Sequence, residues 1–452
     1  MFKRTIFHKF DQWTGQEKHK PLILRGARQV GKTTAVNLWS SRFDQYAYLN
    51  LELQEDRNLF ENIQNFNDRL EAIFFTRQLT RKHHKTLIFL DEIQNSPQAV
   101  ADLRYFYEKA KDLYVIAAGS LLESLIDRHI SFPVGRVEYL MMRPLSFQEY
   151  LEATDESAAS ETLIKIPVPD FSHDRLLRLF HRFTLIGGMP EIIRVYHEER
   201  DLIQLKTLYE NLIVSYLDDV EKYASNASQT SILRHIIQNA FFEAGSRISF
   251  QGFGKSNYRS REVGEAFAIL EKAMLLQLIY PTTQTQMPGI PDRKKSPKLQ
   301  LLDTGFVNHF AGLQKELLQI DNLDHVFKGK IAEHIVGQEL LAAQDSVLYK
   351  LEFWVREKKQ SNAEIDFIIR RDENLIPVEV KSGATGRLRS LHQFMDQTPH
   401  PYAVRIYGDR LRIDHVKTIK GKPFYLLNLP YYLAGQIHQY ADWFIEEIKH
   451  LK

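Results

Sequence analysis

Residues 21–34 read PLILRGARQVGKTT, and no other stretch of the chain restricts its fold as strongly. Leu22 to Leu24 form a short apolar run, which predicts a buried strand. The run leads into Gly26-x-x-x-x-Gly31-Lys32-Thr33, a complete G-x-x-x-x-G-K-[ST] pattern. Glycines at both ends let the backbone N–H groups of Gly26, Ala27, Arg28, Gln29, Val30 and Gly31 turn inward around phosphate. Lys32 supplies positive charge to the β- and γ-phosphates, and the Thr33 hydroxyl is placed to ligate magnesium. Thr34 completes the expected nucleotide-binding set. Residues 33–40, TTAVNLWS, predict a helix whose N-terminus adds the positive end of its dipole. The expectation is an α/β P-loop domain that takes ATP and Mg2+.

A second motif supports the first. Thr86 to Leu90 are followed by Asp91 and Glu92, which predicts a buried strand ending in two carboxylates. Asp91 is expected to hold magnesium through water, and Glu92 to act as general base toward the water that attacks the γ-phosphate. A helical stretch over 60–80 separates the two motifs. A third strand, Tyr114 to Ala118, ends at Gly119-Ser120, where Ser120 is a candidate sensor of the γ-phosphate or the N-cap of a following helix. Arg136, after Gly135, is a candidate arginine for the transition-state charge.

Composition removes several other classes. Of 452 residues, 44% are hydrophobic and 26% charged, which excludes a mainly disordered chain. The 59 Lys and Arg balance 57 Asp and Glu, so a uniformly basic binder is excluded while local basic patches are not. There is no cysteine, which removes disulfide scaffolds, cysteine zinc sites and thiol catalysis and fits a reducing compartment. The basic start MFKRTIFHKFDQW lacks an apolar segment behind it, and no run approaches the ~18 residues of a membrane span. A cytoplasmic protein with no membrane partner is expected.

These segments together resemble a large group of bacterial and archaeal AAA-type ATPases. The resemblance rests on RGARQVGKTT, LNLE, LIFLDEIQ, AAGS, Gly135-Arg136 and RPLSFQEY, with GGMPE (187–191), YLDDV (216–220) and KLQLLDTGF (298–306) further along. It implies an AAA-type ATPase domain over 1–165, a helical lid and winged-helix region over 166–310, and an α/β domain related to PD-(D/E)xK nucleases over 311–452. It also admits a homo-oligomer. The residues agree with that order. The polar text of 151–170 predicts an exposed connection. Apolar residues recur at helical spacing over 173–245, and 260–280 reads as a helix followed by a strand. Between 252 and 298 eight Lys and Arg face four Asp and Glu, a local charge of +4, and the run PDRKKSPK is a candidate wing tip for contact with the phosphate backbone of DNA.

The last constellation lies in 363–381, AEIDFIIRRDENLIPVEVK. Two strands alternate around a polar turn, with Glu364, Asp366 and Ile368 on one face of the first and Glu379 with Lys381 on one face of the second. If Asp372-Glu373 is a two-residue loop, paired positions sum to 745 and Asp366 faces Glu379. The spacing D-x12-E-x-K matches the PD-(D/E)xK motif. The implied site binds Mg2+ or Mn2+ through Asp366, Glu379 and a helix residue, Glu333, with Lys381 positioning or deprotonating the nucleophile. Gln393 follows as in some relatives, but position 397 is Gln where exonuclease relatives carry an aromatic residue.

Overall fold

The chain is described from a computed structural model, over residues 2–81, 83–119, 133–199, 202–312, 329–357, 363–381 and 388–450. It divides into two compact units. The first comprises Met1–Arg143 with Lys272–Met274 and Gln344–Tyr349, and the second comprises Pro144–Glu271, Leu275–Ala343 and Lys350–Lys452. The segments expected as 166–310 and 311–452 thus belong almost wholly to one unit.

The first unit is built on a parallel sheet. Its strands are β1 (Leu22–Arg25), β2 (Gln45–Asn50), β3 (Thr86–Asp91), β4 (Tyr114–Gly119) and β5 (Glu138–Met141), in the order β2-β3-β4-β1-β5. β3 is buried along its whole length, as a strand covered on both faces must be. Helices α1 (Ile6–Thr14), α2 (Lys32–Trp39), α3 (Gln54–Glu61), α4 (Phe66–Thr76) and α5 (Pro97–Lys109) connect or flank the strands. Ile23, Leu49, Ile88 and Leu90 of the sheet pack with Phe60, Leu70, Val100 and Leu103 of the helices in one core. Register places the C-terminal ends of β1, β3 and β4 on one edge, since Arg25 pairs with Gly119 and Leu90 with Ala117. In open α/β sheets that edge is where ligands sit.

The second unit begins with helices. The text expected as an exposed connection instead holds the helices Phe147–Ala153 and Ser157–Leu163, and Ala159, Ser160 and Leu163 are buried. Ser146 and Glu149 form a reciprocal capping box at the first of these, which gives RPLSFQEY a local cause. Helices His173–Ile186, Pro190–Glu199, Leu202–Tyr223, Ala227–Ala240 and Ser260–Lys272 follow, then the antiparallel pair β6 (Leu276–Ile279) and β8 (Lys298–Leu301). The loop between these two strands is tied down in its first half, while Arg293 and Lys294 of the basic run stay exposed. Its strand β7 (Pro281–Thr282) pairs with β9 (Phe353–Val355), the Gly289 carbonyl accepts from Arg370 at 2.8 Å, and Arg293 lies over the Tyr280 ring.

A mixed five-stranded sheet completes this unit: β11 (Phe367–Arg371), β12 (Asn374–Val380), β13 (Tyr402–Tyr407), β15 (Pro423–Pro430) and β14 (Arg412–Lys417), in that order. β11 and β12 pair as expected, from Phe367↔Val378 to Arg371↔Asn374, around a two-residue loop in which Asp372 has φ 48°. The expected single strand over 363–371 is however broken at Asp366. Glu364–Ile365 forms β10, which pairs with β9 rather than with β12. The alternation shifts at the break, so Ile365 and Ile368 share one apolar cluster, and Ile368 is not on the acidic face.

Candidate functional site

At the ligand-bearing edge of the parallel sheet, the loop 26–31 turns through positive φ at Gln29 (62°) and Gly31 (93°) and enters α2 at Lys32. A side chain at Gly26 would run into the Met142 carbonyl oxygen, so the loop passes β5 with room for hydrogen only. Lys32 is buried, and its Nζ donates to the Gly26 and Ala27 carbonyls at 2.9 Å each. Burial lowers its pKa to about 8, against the opposing pull of Glu92 and Asp91. Thr33 Oγ1 donates to Asp91 Oδ2 at 2.6 Å, and Tyr48 of β2 donates to the same oxygen at 3.2 Å. Burial raises the Asp91 pKa, with Glu92 adding to it and the Thr33 and Tyr48 hydrogen bonds opposing it. Glu92 follows at the strand end in a left-handed backbone (φ 50°), half-buried, with its carboxylate accepting from the Gln94 amide. A non-glycine residue held there marks a position whose backbone is set by its surroundings.

The structure therefore brings Gly26, Ala27, Arg28, Gln29, Val30, Gly31, Lys32, Thr33, Thr34, Asp91 and Glu92 to one edge. Arg28 leans toward Glu52 at 3.4 Å. Ser120 lies outside the described residues. Arg136 is not part of this group. It precedes β5, whose Glu138 pairs with Leu22 at the start of β1, so it lies at the opposite edge of the sheet from the P-loop. There it pairs with Glu108 at 2.8 Å. Parallel strand direction is the cause, and it was not visible in the spacing of Gly135-Arg136. Two residues were not anticipated. Tyr48 fixes the Asp91 carboxylate. Arg4 is buried and donates to the Val30 carbonyl at 2.9 Å and the Arg143 carbonyl at 2.6 Å, tying the P-loop to the strand end beside it.

The second constellation assembles, but around a different cation. Asp366 stands at the break before β11, and its Oδ2 accepts from the Val380 N–H at 2.7 Å. Glu379 is buried, and its Oε1 accepts from Lys381 Nζ at 2.5 Å, while its Oε2 has no hydrogen-bond partner. Glu333 comes from the helix Gly329–Ala342. Among these carboxylates lies the ammonium of Lys298, the first residue of β8. It is 2.7 Å from Glu364, 3.3 Å from Glu333 and 3.5 Å from Asp366, and 5.0 Å above the Phe353 ring. Burial alone would lower the Lys298 pKa, but Asp366, Glu333 and Glu364 together raise it above the ordinary lysine value. Glu333 and Glu379 are themselves raised, first by burial and then by the Asp366 charge. Among the described residues no group of three or more His, Asp or Glu is arranged to hold a metal ion.

The expected divalent ion on Glu333, Asp366 and Glu379 does not fit this arrangement, because a buried lysine already neutralises two of the three. Nothing in D-x12-E-x-K pointed to Lys298. Its only signal is a charged residue opening the buried strand KLQL.

A family model described as an AAA domain matches residues 18–151, and this segment forms an AAA-type P-loop ATPase domain. Two further models, each described as a domain of unknown function, match residues 177–317 and 328–421. No curated protein matches the chain. Among solved structures, a Walker-type ATPase of Pyrococcus abyssi is similar at 13% identity and a TM-score of 0.45, over 69% of this chain and 96% of that one. The Orc1 protein of Aeropyrum pernix, solved in complex with DNA, is similar at 14% identity and 0.30, over 68% and 91%. The RuvB Holliday junction branch migration motor of Thermotoga maritima is similar at 16% identity and 0.28, over 65% and 93%. Among the described residues no helix is long and apolar enough to cross a membrane.

Proposed function

We propose that the chain binds and hydrolyses ATP at the edge where the P-loop meets Asp91 and Glu92. The observation that carries this reading is the 2.6 Å hydrogen bond from Thr33 to Asp91, with Lys32 buried beside it and Glu92 at the adjacent strand end. Phosphate oxygens compete with the Gly26 and Ala27 carbonyls for the Lys32 ammonium, and the N–H groups of the loop receive the rest of the anion. Thr33 and Asp91 are the residues that would hold magnesium, which neutralises charge on the β- and γ-phosphates when bound. Glu92 orients the attacking water and takes its proton. Equilibrium binding of a fluorescent ATP analogue tests the site. Lys32→Ala should weaken binding by at least tenfold, and unchanged affinity would place the nucleotide elsewhere.

The partner in this reading is DNA, contacted by the middle region as a winged helix. Lys255 is exposed and lines an open depression of about 520 Å³ with Phe242, Arg247 and Gln251, and Arg259 and Arg261 are exposed at the start of the helix Ser260–Lys272. Contacts to phosphate give binding that falls with salt, with a slope of about −0.9 per contact on a log–log plot. Replacing Arg259 and Arg261 together by Ala should weaken duplex binding and flatten that slope. An unchanged slope would remove this surface and favour a protein partner. No cleavage step is assigned to the C-terminal sheet, because its acidic centre does not fit a metal.

A further inference from the structure

We propose that Lys298 is the resident cation of the C-terminal acidic centre, taking the position among Glu333, Glu364 and Asp366 that a divalent ion would need. The inference does not depend on the ATP reading. Three observations carry it. First, the ammonium has three N–H groups, and three carboxylates lie around it at 2.7, 3.3 and 3.5 Å. Second, the charge is close to balanced without metal. Lys298, Lys381 and Arg247 stand against Glu333, Glu364, Asp366 and Glu379, with Arg247 3.7 Å from Glu364 and Lys381 2.5 Å from Glu379. Third, the lysine has no ready exit. Its side chain is 6% exposed, its ammonium lies over Phe353, and its backbone is held in the β6–β8 pair and in a bridge to Arg247.

A divalent ion in this place would sit within a few ångströms of a buried ammonium. It would also have to draw the carboxylates in to the ~2.0–2.6 Å that hard cations require. Expelling Lys298 would strand its charge away from water, the costly half of breaking a buried ion pair. The centre therefore works as an internal ion cluster. It joins β8, the helix Gly329–Ala342, β10 and the head of β11, and it holds no metal in the native chain. Removing the ammonium leaves Glu333, Glu364 and Asp366 around its place without a cation, so their mutual repulsion favours closing in on a divalent ion that the wild type does not need.

The test is Mn2+ binding to the full nucleotide-free chain, followed by loss of the free-ion signal in electron paramagnetic resonance. Asp366→Asn should leave the wild-type isotherm unchanged. Lys298→Ala should gain one site at least tenfold tighter than any in the wild type, and Lys298→Ala combined with Asp366→Asn should lose it. Asp366-dependent Mn2+ binding in the wild type would overturn the proposal. So would a folded Lys298→Ala that gains no site. Lys298→Met, which keeps most of the stem, serves if the alanine variant does not fold. The comparison of wild type with Asp366→Asn decides in any case.

Discussion

Glu339 shows what a single buried carboxyl does to this protein. It is 2% exposed, and its Oε1 accepts from the Phe147 N–H at 3.0 Å at the start of a helix. Burial pushes its pKa up to about 8, with Glu149 adding to the rise and the Phe147 hydrogen bond opposing it. An unfolded glutamate titrates at about 4.3, so between these values the unfolded chain has released its proton and the folded chain has kept it. This group's contribution is therefore full below about pH 4, declines as pH rises toward 8 and is level beyond, at about 1.4 kcal/mol per unit. Asp303, fully buried and raised to about 6 chiefly by burial, adds a decline of the same sign over a lower range. Buried His334 and His438, lowered to about 3 and about 4 by burial, oppose this until the unfolded imidazole has lost its proton near pH 6.5, so melting temperature should fall between pH 7 and pH 8. Glu339→Gln, which keeps an acceptor for Phe147, should flatten that fall and be the more stable protein at pH 8. Parallel profiles for the two proteins would mean that Glu339 does not hold its proton.

Among elements, α4 and α5 are joined by a buried pair. Arg69 meets Asp102 through Nε and Nη2, both at 2.6 Å, and the side chains are 4% and 1% exposed. Arg69 also donates to the Gln64 carbonyl, holding the chain that enters α4. Arg69→Ala leaves Asp102 buried with only the Gln98 amide donating to it, and should cost about 3–5 kcal/mol in urea unfolding. A loss below 1 kcal/mol would show that the pair is replaceable by water. The β11–β12 hairpin shows how far an element can be read in advance. Its register was legible because a two-residue turn leaves one pairing, and that pairing holds from residue 367 onward. The break at Asp366 was not legible. There the Asp366 side chain occupies the Val380 N–H in place of the Ile365 carbonyl that the register would supply, and alternation of residue types cannot distinguish the two.

On the scale of the whole molecule, legibility follows distance along the chain. The P-loop, its helix and the Asp91-Glu92 strand end were readable because each motif carries its chemistry within a few consecutive residues. Their convergence followed from parallel strands with ends on one edge. The same strand direction puts Arg136 away from the P-loop within one chain, and sequence does not reveal which edge a loop occupies. Lys298 was missed because its partners are 35 to 68 positions away and belong to other elements. A lysine that opens an apolar strand looks like any solvated strand end until the fold buries it. The central claim, hydrolysis at the P-loop with Glu92 as base, is tested most directly by phosphate release at saturating ATP from the wild type and from Glu92→Gln. The variant should still bind ATP, yet release phosphate about 10²–10⁴-fold more slowly, the range a positioned general base provides. Release at the wild-type rate from Glu92→Gln would contradict the account.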